Sequence, residues 1–153
     1  MPNTYSQLYV QIVFTVKGRQ SFIKEFFREE LQKYMAGIIA NKKQKLYAIY
    51  CMPDHVHILV SVSPSICLSD LVRDIKSCSS GFIKEKGWVN DGFAWQQGFG
   101  AFSYHGSITK QVVNYILNQQ QHHEKKTFRE EYLEFLKEYA IDFDEKYLYE
   151  FYD

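Results

Sequence analysis

The 153-residue chain is short of cysteine, of net charge and of long apolar runs, and each shortage narrows what it can be. Its three cysteines, Cys51, Cys67 and Cys78, are odd in number and show neither CxxC nor zinc-finger spacing. That pattern excludes a disulfide-stapled secreted fold and favours a reducing compartment, with the thiols acting as small buried apolar groups. No run approaches the roughly 20 apolar residues of a membrane span, and no charged leader with an apolar core opens the chain. The expectation is a cytoplasmic protein with no membrane partner. Internal repeats and low-complexity segments are absent as well. Gly98 and Gly100 do not make a nucleotide fingerprint, because no helix opens three residues later, so they are expected to mark a bend.

What is present is apolar bulk. Hydrophobic residues make up 46% of the chain, including 12 Tyr and 12 Phe, enough for one domain over residues 1–153 with a real core. The zero net charge conceals an asymmetry: residues 1–129 hold 16 Lys and Arg against 9 Asp and Glu, whereas residues 130–153 hold 2 against 9. A basic body suits a polyanionic partner. Residues 128–153 form an acidic, aromatic extension whose Glu130, Glu131, Glu134 and Glu138 should repel phosphate. Its Tyr132, Phe135 and Tyr139 call for burial, so the extension is expected to pack on the body or on a partner subunit, away from any polyanionic ligand.

Periodicity supplies the element order. In residues 5–16, Leu8, Val10, Ile12, Phe14 and Val16 alternate with Gln7, Tyr9, Gln11 and Thr15, as in a half-buried strand. Residues 22–41 space Phe22, Phe26, Phe27, Leu31, Met35, Ile38 and Ile39 helically, and Asn41 can end that helix. LYAIYC and HVHILVSV read as two strands joined at MPD. Residues 68–86 return to helical spacing, FGAFSYH reads as a last strand, and a helix follows from Ser107, a candidate N-cap. A final helix is expected over about residues 128–139. The order defines an α+β fold of ferredoxin-like (RRM-like) type, βαββαβ: an antiparallel sheet with its helices on one face, plus additional C-terminal helices.

The strand beginning at His55 carries two imidazoles one residue apart, so His55 and His57 share one face while Val56, Ile58, Val60 and Val62 share the other. Helices must cover the valine face, which leaves the histidines on the uncovered face, where they can hold a metal ion. Burial of these rings beneath other side chains, or a tyrosine hydroxyl tens of ångströms away, would overturn an enzyme reading built on them. Farther on, Tyr115 and Gln119 lie one helical turn apart, with His123 at the next turn. Phenol has a pKa of about 10 and is a weak nucleophile unless a cation assists it. Taken singly, Tyr115 equally suits packing between Val112 and Leu117, and Gln119 suits a solvated site in a polar run.

Together, His55-Val56-His57 after a strand, WQQGF at 95–99 and YILNQ at 115–119 followed by two histidines resemble the HUH-superfamily single-tyrosine transposases of bacterial insertion sequences and their REP-associated relatives. The resemblance implies that His55, His57 and Gln119 ligate a Mg or Mn cation and that Tyr115 is the catalytic nucleophile. It implies a DNA-nicking and strand-joining enzyme acting on single-stranded DNA at hairpin-bearing element ends, through a 5′-phosphotyrosine bond and a free 3′-hydroxyl. It further implies a homodimer in which Tyr115 can serve the partner's histidines. His105, His122 and His123 stay open as supplementary ligands. Lys17, Arg19, Lys42, Lys43, Lys45, Arg73, Lys76, Lys84, Lys86 and Lys110 are candidate phosphate contacts, and Tyr9 is a candidate platform for an unpaired base.

Two other readings compete. HVHILV is similar to the histidine-triad nucleotide hydrolases, but Leu59 occupies the position of their third histidine. A non-catalytic nucleic-acid-binding module, including a domesticated transposase, would have no use for the full set of His55, His57, Tyr115 and Gln119, and the sheet lacks an RNP aromatic motif.

Overall fold

A computed structural model describes residues 4–89, 92–122 and 127–138. The expected strands and the first two helices form in the expected order: β1 Tyr9–Thr15, α1 Glu25–Asn41, β2 Lys45–Cys51, β3 His55–Ser61, α2 Leu68–Lys86 and β4 Gly100–Tyr104. The strands lie in the order β2-β3-β1-β4, all neighbours antiparallel. Beyond the sheet come α3 Thr109–Leu117, α4 Gln119–His122 and α5 Phe128–Glu138. No helix among the described residues is long and apolar enough to cross a membrane.

Alternation along β1 and β3 divides the interior in two. Ile12, Phe14, Val16, Val56, Ile58 and Val60 form one buried cluster with Phe27, Leu31, Met35 and Ile39 of α1 and Leu71, Val72, Ile75 and Ile83 of α2. The four buried residues of α1 recur every four positions, the stripe that a helix lays on a sheet. Phe26, expected among them, falls off that stripe and is 76% exposed. The strap of residues 93–99 closes this layer. Trp95 pairs with Val16, sets its ring edge-on to Phe14 and donates from Nε1 to Ser79 Oγ at 3.0 Å. Gly98 turns the strap at φ +86°, the left-handed region a glycine adopts without strain.

The opposite face, expected to be open, is covered. Ala48 and Leu59 pack with Val112 and Ile116 of α3, while Val13 and Phe102 pack with Phe128, Tyr132 and Leu136 of α5. The physical reason lies in the acidic extension: α5 is amphipathic, and its aromatic stripe needs an apolar floor. Tyr9 is accordingly half-buried, with its ring edge-on to Tyr47. Gly100 is small for a packing reason, since a Cβ there would stand 2.7 Å from the Tyr132 hydroxyl.

Three smaller expectations are corrected. The helix from Ser107 is not continuous: a short 3-10 turn, Gly106–Ile108, precedes α3, and the chain breaks at Asn118 before α4. There the Asn118 side-chain amide donates to Asn114 O at 2.8 Å, the carbonyl that also accepts the backbone N–H of Asn118 at 3.1 Å. Ser107 is not the cap, because the His105 side chain accepts from Ser107 N. Of the thiols only Cys51 is buried, and burial raises its pKa to about 12; Cys67 and Cys78 are exposed. Residue 139, the expected end of the last helix, lies outside the described residues.

Candidate active site

The site grows from the strand pair β1–β3, whose register sets Val13 against His57 and Thr15 against His55. Both histidines project to the face that α3 and α5 cover, and their rings lie 5.2 Å apart between centroids. They are buried, 2% exposed for His55 and 0% for His57, contrary to the open face expected from sequence. Phe128 of α5 stacks on His55 at 4.0 Å and 19°, and the Arg19 guanidinium lies 5.3 Å over the same Phe128 ring.

Each imidazole is held from behind by its Nδ1. His55 Nδ1 pairs with Asp54 Oδ1 at 2.7 Å, and Asp54 Oδ2 accepts from Arg19 Nε at 2.9 Å. Burial by itself would raise the Asp54 carboxyl, but His55 and Arg19 outweigh it and hold the pKa down at about 2. Burial lowers that of His55 against the opposing pull of Asp54. His57 Nδ1 pairs with Gln11 Oε1 at 2.8 Å. A carbonyl or carboxylate acceptor at Nδ1 directs the Nε2 lone pair of a neutral ring forward, the arrangement by which proteins orient metal-ligating histidines.

The sequence reading missed a third group. Glu131, counted there among the phosphate-repelling residues of the extension, is 3% exposed and places Oε1 3.1 Å from His57 Nε2. His55, His57 and Glu131 each offer one ligand atom, all within 4.8 Å of one another. Burial works to raise the Glu131 carboxyl, yet the facing imidazole of His57 keeps it below the usual carboxylate range. Helical spacing carries a detectable signal here: Phe128, Glu131, Tyr132 and Leu136 fall on one stripe of α5, so a carboxylate on the buried side of that helix needs a cationic or metal partner.

Tyr115 sets its ring 6.0 Å from that of His57 within the same chain. Burial first, and then the charge of Glu131, push its phenol above the ordinary range, while the Gln119 amide works in the opposite direction. Gln119 is fully buried rather than solvated, and its Nε2 donates to Tyr115 O at 3.3 Å. His105 is spent on the turn before α3, bonding Ser107, and is not in the cluster. His123 and the side chain of His122 lie outside the described residues. A cleft of about 300 Å³ between α3 and α5 reaches Tyr115 and Glu131, with Tyr104, Gln111, Val112 and Phe135 among its walls.

Two buried imidazoles and a carboxylate converge beside a phenol in an antiparallel α+β fold, a set of groups that could hold a metal ion. The chain belongs to the IS200-like transposase family, which matches residues 4–119. It is 26% identical over 120 residues to ISDra2 transposase TnpA of Deinococcus radiodurans, covering 74% of this chain and 84% of that protein. In fold it is similar to a transposase of Deinococcus radiodurans R1, with a TM-score of 0.59 and 22% identity over 76% of this chain and 94% of the other. It is also similar to the REP-associated tyrosine transposase bound to a REP hairpin, with a TM-score of 0.58 and 16% identity over 79% of this chain and 72% of the other. The family match ends at Gln119, so α5 and Glu131 lie beyond it.

Proposed function

We propose that this transposase nicks and rejoins single-stranded DNA near a hairpin, in the cytoplasm, with Tyr115 as nucleophile and His55 and His57 holding a divalent cation. The observation that carries this reading is the convergence of the two histidines, Glu131 and Tyr115 within one chain. The residues fit a cation: both rings are fixed through Nδ1, and a carboxylate balances charge. Two imidazoles favour manganese over magnesium, which prefers oxygen donors. Glu131 and Gln119 are the candidates for the third protein ligand. A bound cation would polarise the scissile phosphate and favour the phenolate of a tyrosine that burial otherwise keeps protonated.

The chain's own residues do the rest. Tyr115 Oη bonds to phosphorus while the bond to the 3′ oxygen breaks; the phenolic proton passes to water, and the departing oxygen becomes a 3′-hydroxyl. Attack by another 3′-hydroxyl on the phosphotyrosine reverses the exchange and joins strands. One ester replaces another, so no nucleotide cofactor is required. Because α3 and β3 of one chain set Tyr115 beside His57, the reading is catalysis in cis, with any homodimer leaving each site within its own chain.

For a phosphate to reach the buried rings, the Phe128 ring stacked on His55 must give way. The cover belongs to a helix outside residues 4–119, and the cleft beside Tyr115 offers the point of entry. The same burial favours a second reading, a hairpin-binding protein that has ceased to cut. Labelled single-stranded hairpin DNA incubated with Mn²⁺ decides between them. A covalent adduct lost in Tyr115→Phe supports the enzyme, and binding without adduct, in the full chain and in Phe128→Ala, supports the binder.

A further inference from the structure

Gln11 is the polar residue that the sheet has least reason to bury. It sits in the middle of β1, a central strand, and is fully buried. Its cross-strand neighbours are Leu59 on β3 and Phe102 on β4, both apolar. A leucine would fill this place without polar demands, whereas a buried amide is unfavourable unless both of its ends are bonded. Both are: Oε1 lies 2.8 Å from His57 Nδ1, and Nε2 donates to the Tyr104 hydroxyl at 2.7 Å.

We infer that Gln11 is a positioning residue that sets the tautomer and plane of His57, with Tyr104 holding the amide in turn. A carbonyl oxygen only accepts, so His57 Nδ1 must carry a proton, and the lone pair of the neutral ring then falls on Nε2. That nitrogen faces Glu131 Oε1 at 3.1 Å. In a neutral ring that lone pair would face the carboxylate oxygen, a contact that a cation held by both groups would relieve. The two histidines are therefore supported differently. His55 leans on an anionic carboxylate paired with Arg19, and His57 on a neutral amide paired with a phenol. A neutral acceptor orients the ring without adding negative charge behind it.

The inference rests on the metal reading proposed above, and its test separates the two. Full-length protein labelled with ¹⁵N and loaded with Zn²⁺ as a diamagnetic probe is examined by long-range ¹H–¹⁵N correlation. His57 is expected to show a protonated Nδ1 and a coordinated Nε2. In Gln11→Leu that pattern should be lost, and Mn²⁺ affinity measured by electron paramagnetic resonance should fall about 10- to 100-fold. Gln11→Glu, which keeps the acceptor, should restore the pattern. Coordination through Nδ1 in the wild type overturns the inference, as does a Gln11→Leu protein with unchanged ring signals and Mn²⁺ affinity. Should Gln11→Leu fail to fold, the wild-type spectrum and Gln11→Glu decide, and a Gln11→Glu protein that loses the Nδ1–H pattern overturns it. No DNA is involved: a Gln11-dependent ring pattern in a protein that never forms the phosphotyrosine would sink the nicking activity alone.

Discussion

His57 Nε2 and Glu131 Oε1 stand 3.1 Å apart, joining a histidine of the basic body to a carboxylate of the acidic extension. If Glu131 is the third ligand, Glu131→Gln removes an anionic donor without changing shape. Mn²⁺ affinity should then drop at least about tenfold, roughly 1.4 kcal/mol. Gln119→Ala should cost less. The reverse order in a metal titration would return the third position to Gln119.

Asp54 gives the protein an acid-sensitive element. Its folded pKa of about 2 lies below the ordinary value near 3.8. A depressed carboxyl contributes stability above its unfolded pKa and loses it as pH falls through the folded one, here between about pH 4 and pH 2. The contribution is on the order of 2 kcal/mol, since the group is largely buried. Asp54→Asn should lower stability at pH 7 and flatten the acid limb of a denaturation series. An unchanged acid limb would show that Arg19 and His55 do not hold this carboxylate.

Gly100→Ala places a methyl group 2.7 Å from the Tyr132 hydroxyl and 3.1 Å from Phe102 Cε2, and is expected to destabilise by about 1–3 kcal/mol. Gly81→Ala is the control. It lies inside α2, where nothing approaches an added Cβ within 4 Å, and a helical alanine should gain roughly 0.5–1 kcal/mol. Thermal melts of the two variants should therefore move in opposite directions.

Deleting residues 128–153 removes Phe128, Tyr132 and Leu136 from their apolar floor and bares Val13 and Phe102. The truncate should unfold at lower temperature and bind apolar dyes. A truncate as stable as the full chain would mean that α5 contributes no packing. In the point variant Phe128→Ala, loss of the ring stacked on His55 should cost about 3–5 kcal/mol where the gap stays open, and less where neighbours close it.

Strand and helix order was legible because period two and period 3.6 are local properties, and each is written in the spacing of apolar residues. Spacing put His55 and His57 on one strand face and Tyr115 and Gln119 on one helix face; it was the family resemblance that joined the two pairs, and the fold sets the Tyr115 ring 6.0 Å from that of His57. Glu131 was not legible. Composition placed it in a repulsive tail, and only the stripe shared with Phe128 and Tyr132 marks it as facing inward. Covering of the histidine face was missed because strand alternation tells which residues share a face but not which later helix returns to it. The break at Asn118 left no mark in the apolar spacing, because it falls in the polar run after Leu117.

Strand β1 is read by two layers at once. Ile12 and Phe14 serve the packing beneath α1 and α2, while Gln11, Val13 and Thr15 face the chemistry. Inserting a single amino acid ahead of Gln11 could not spoil one layer and spare the other: the strand would swap its sides, sending an amide into the greasy interior and an isoleucine to the imidazole. Solubility and reactivity would vanish in one stroke, so evolution can edit this segment by exchange of letters but not by changing their count.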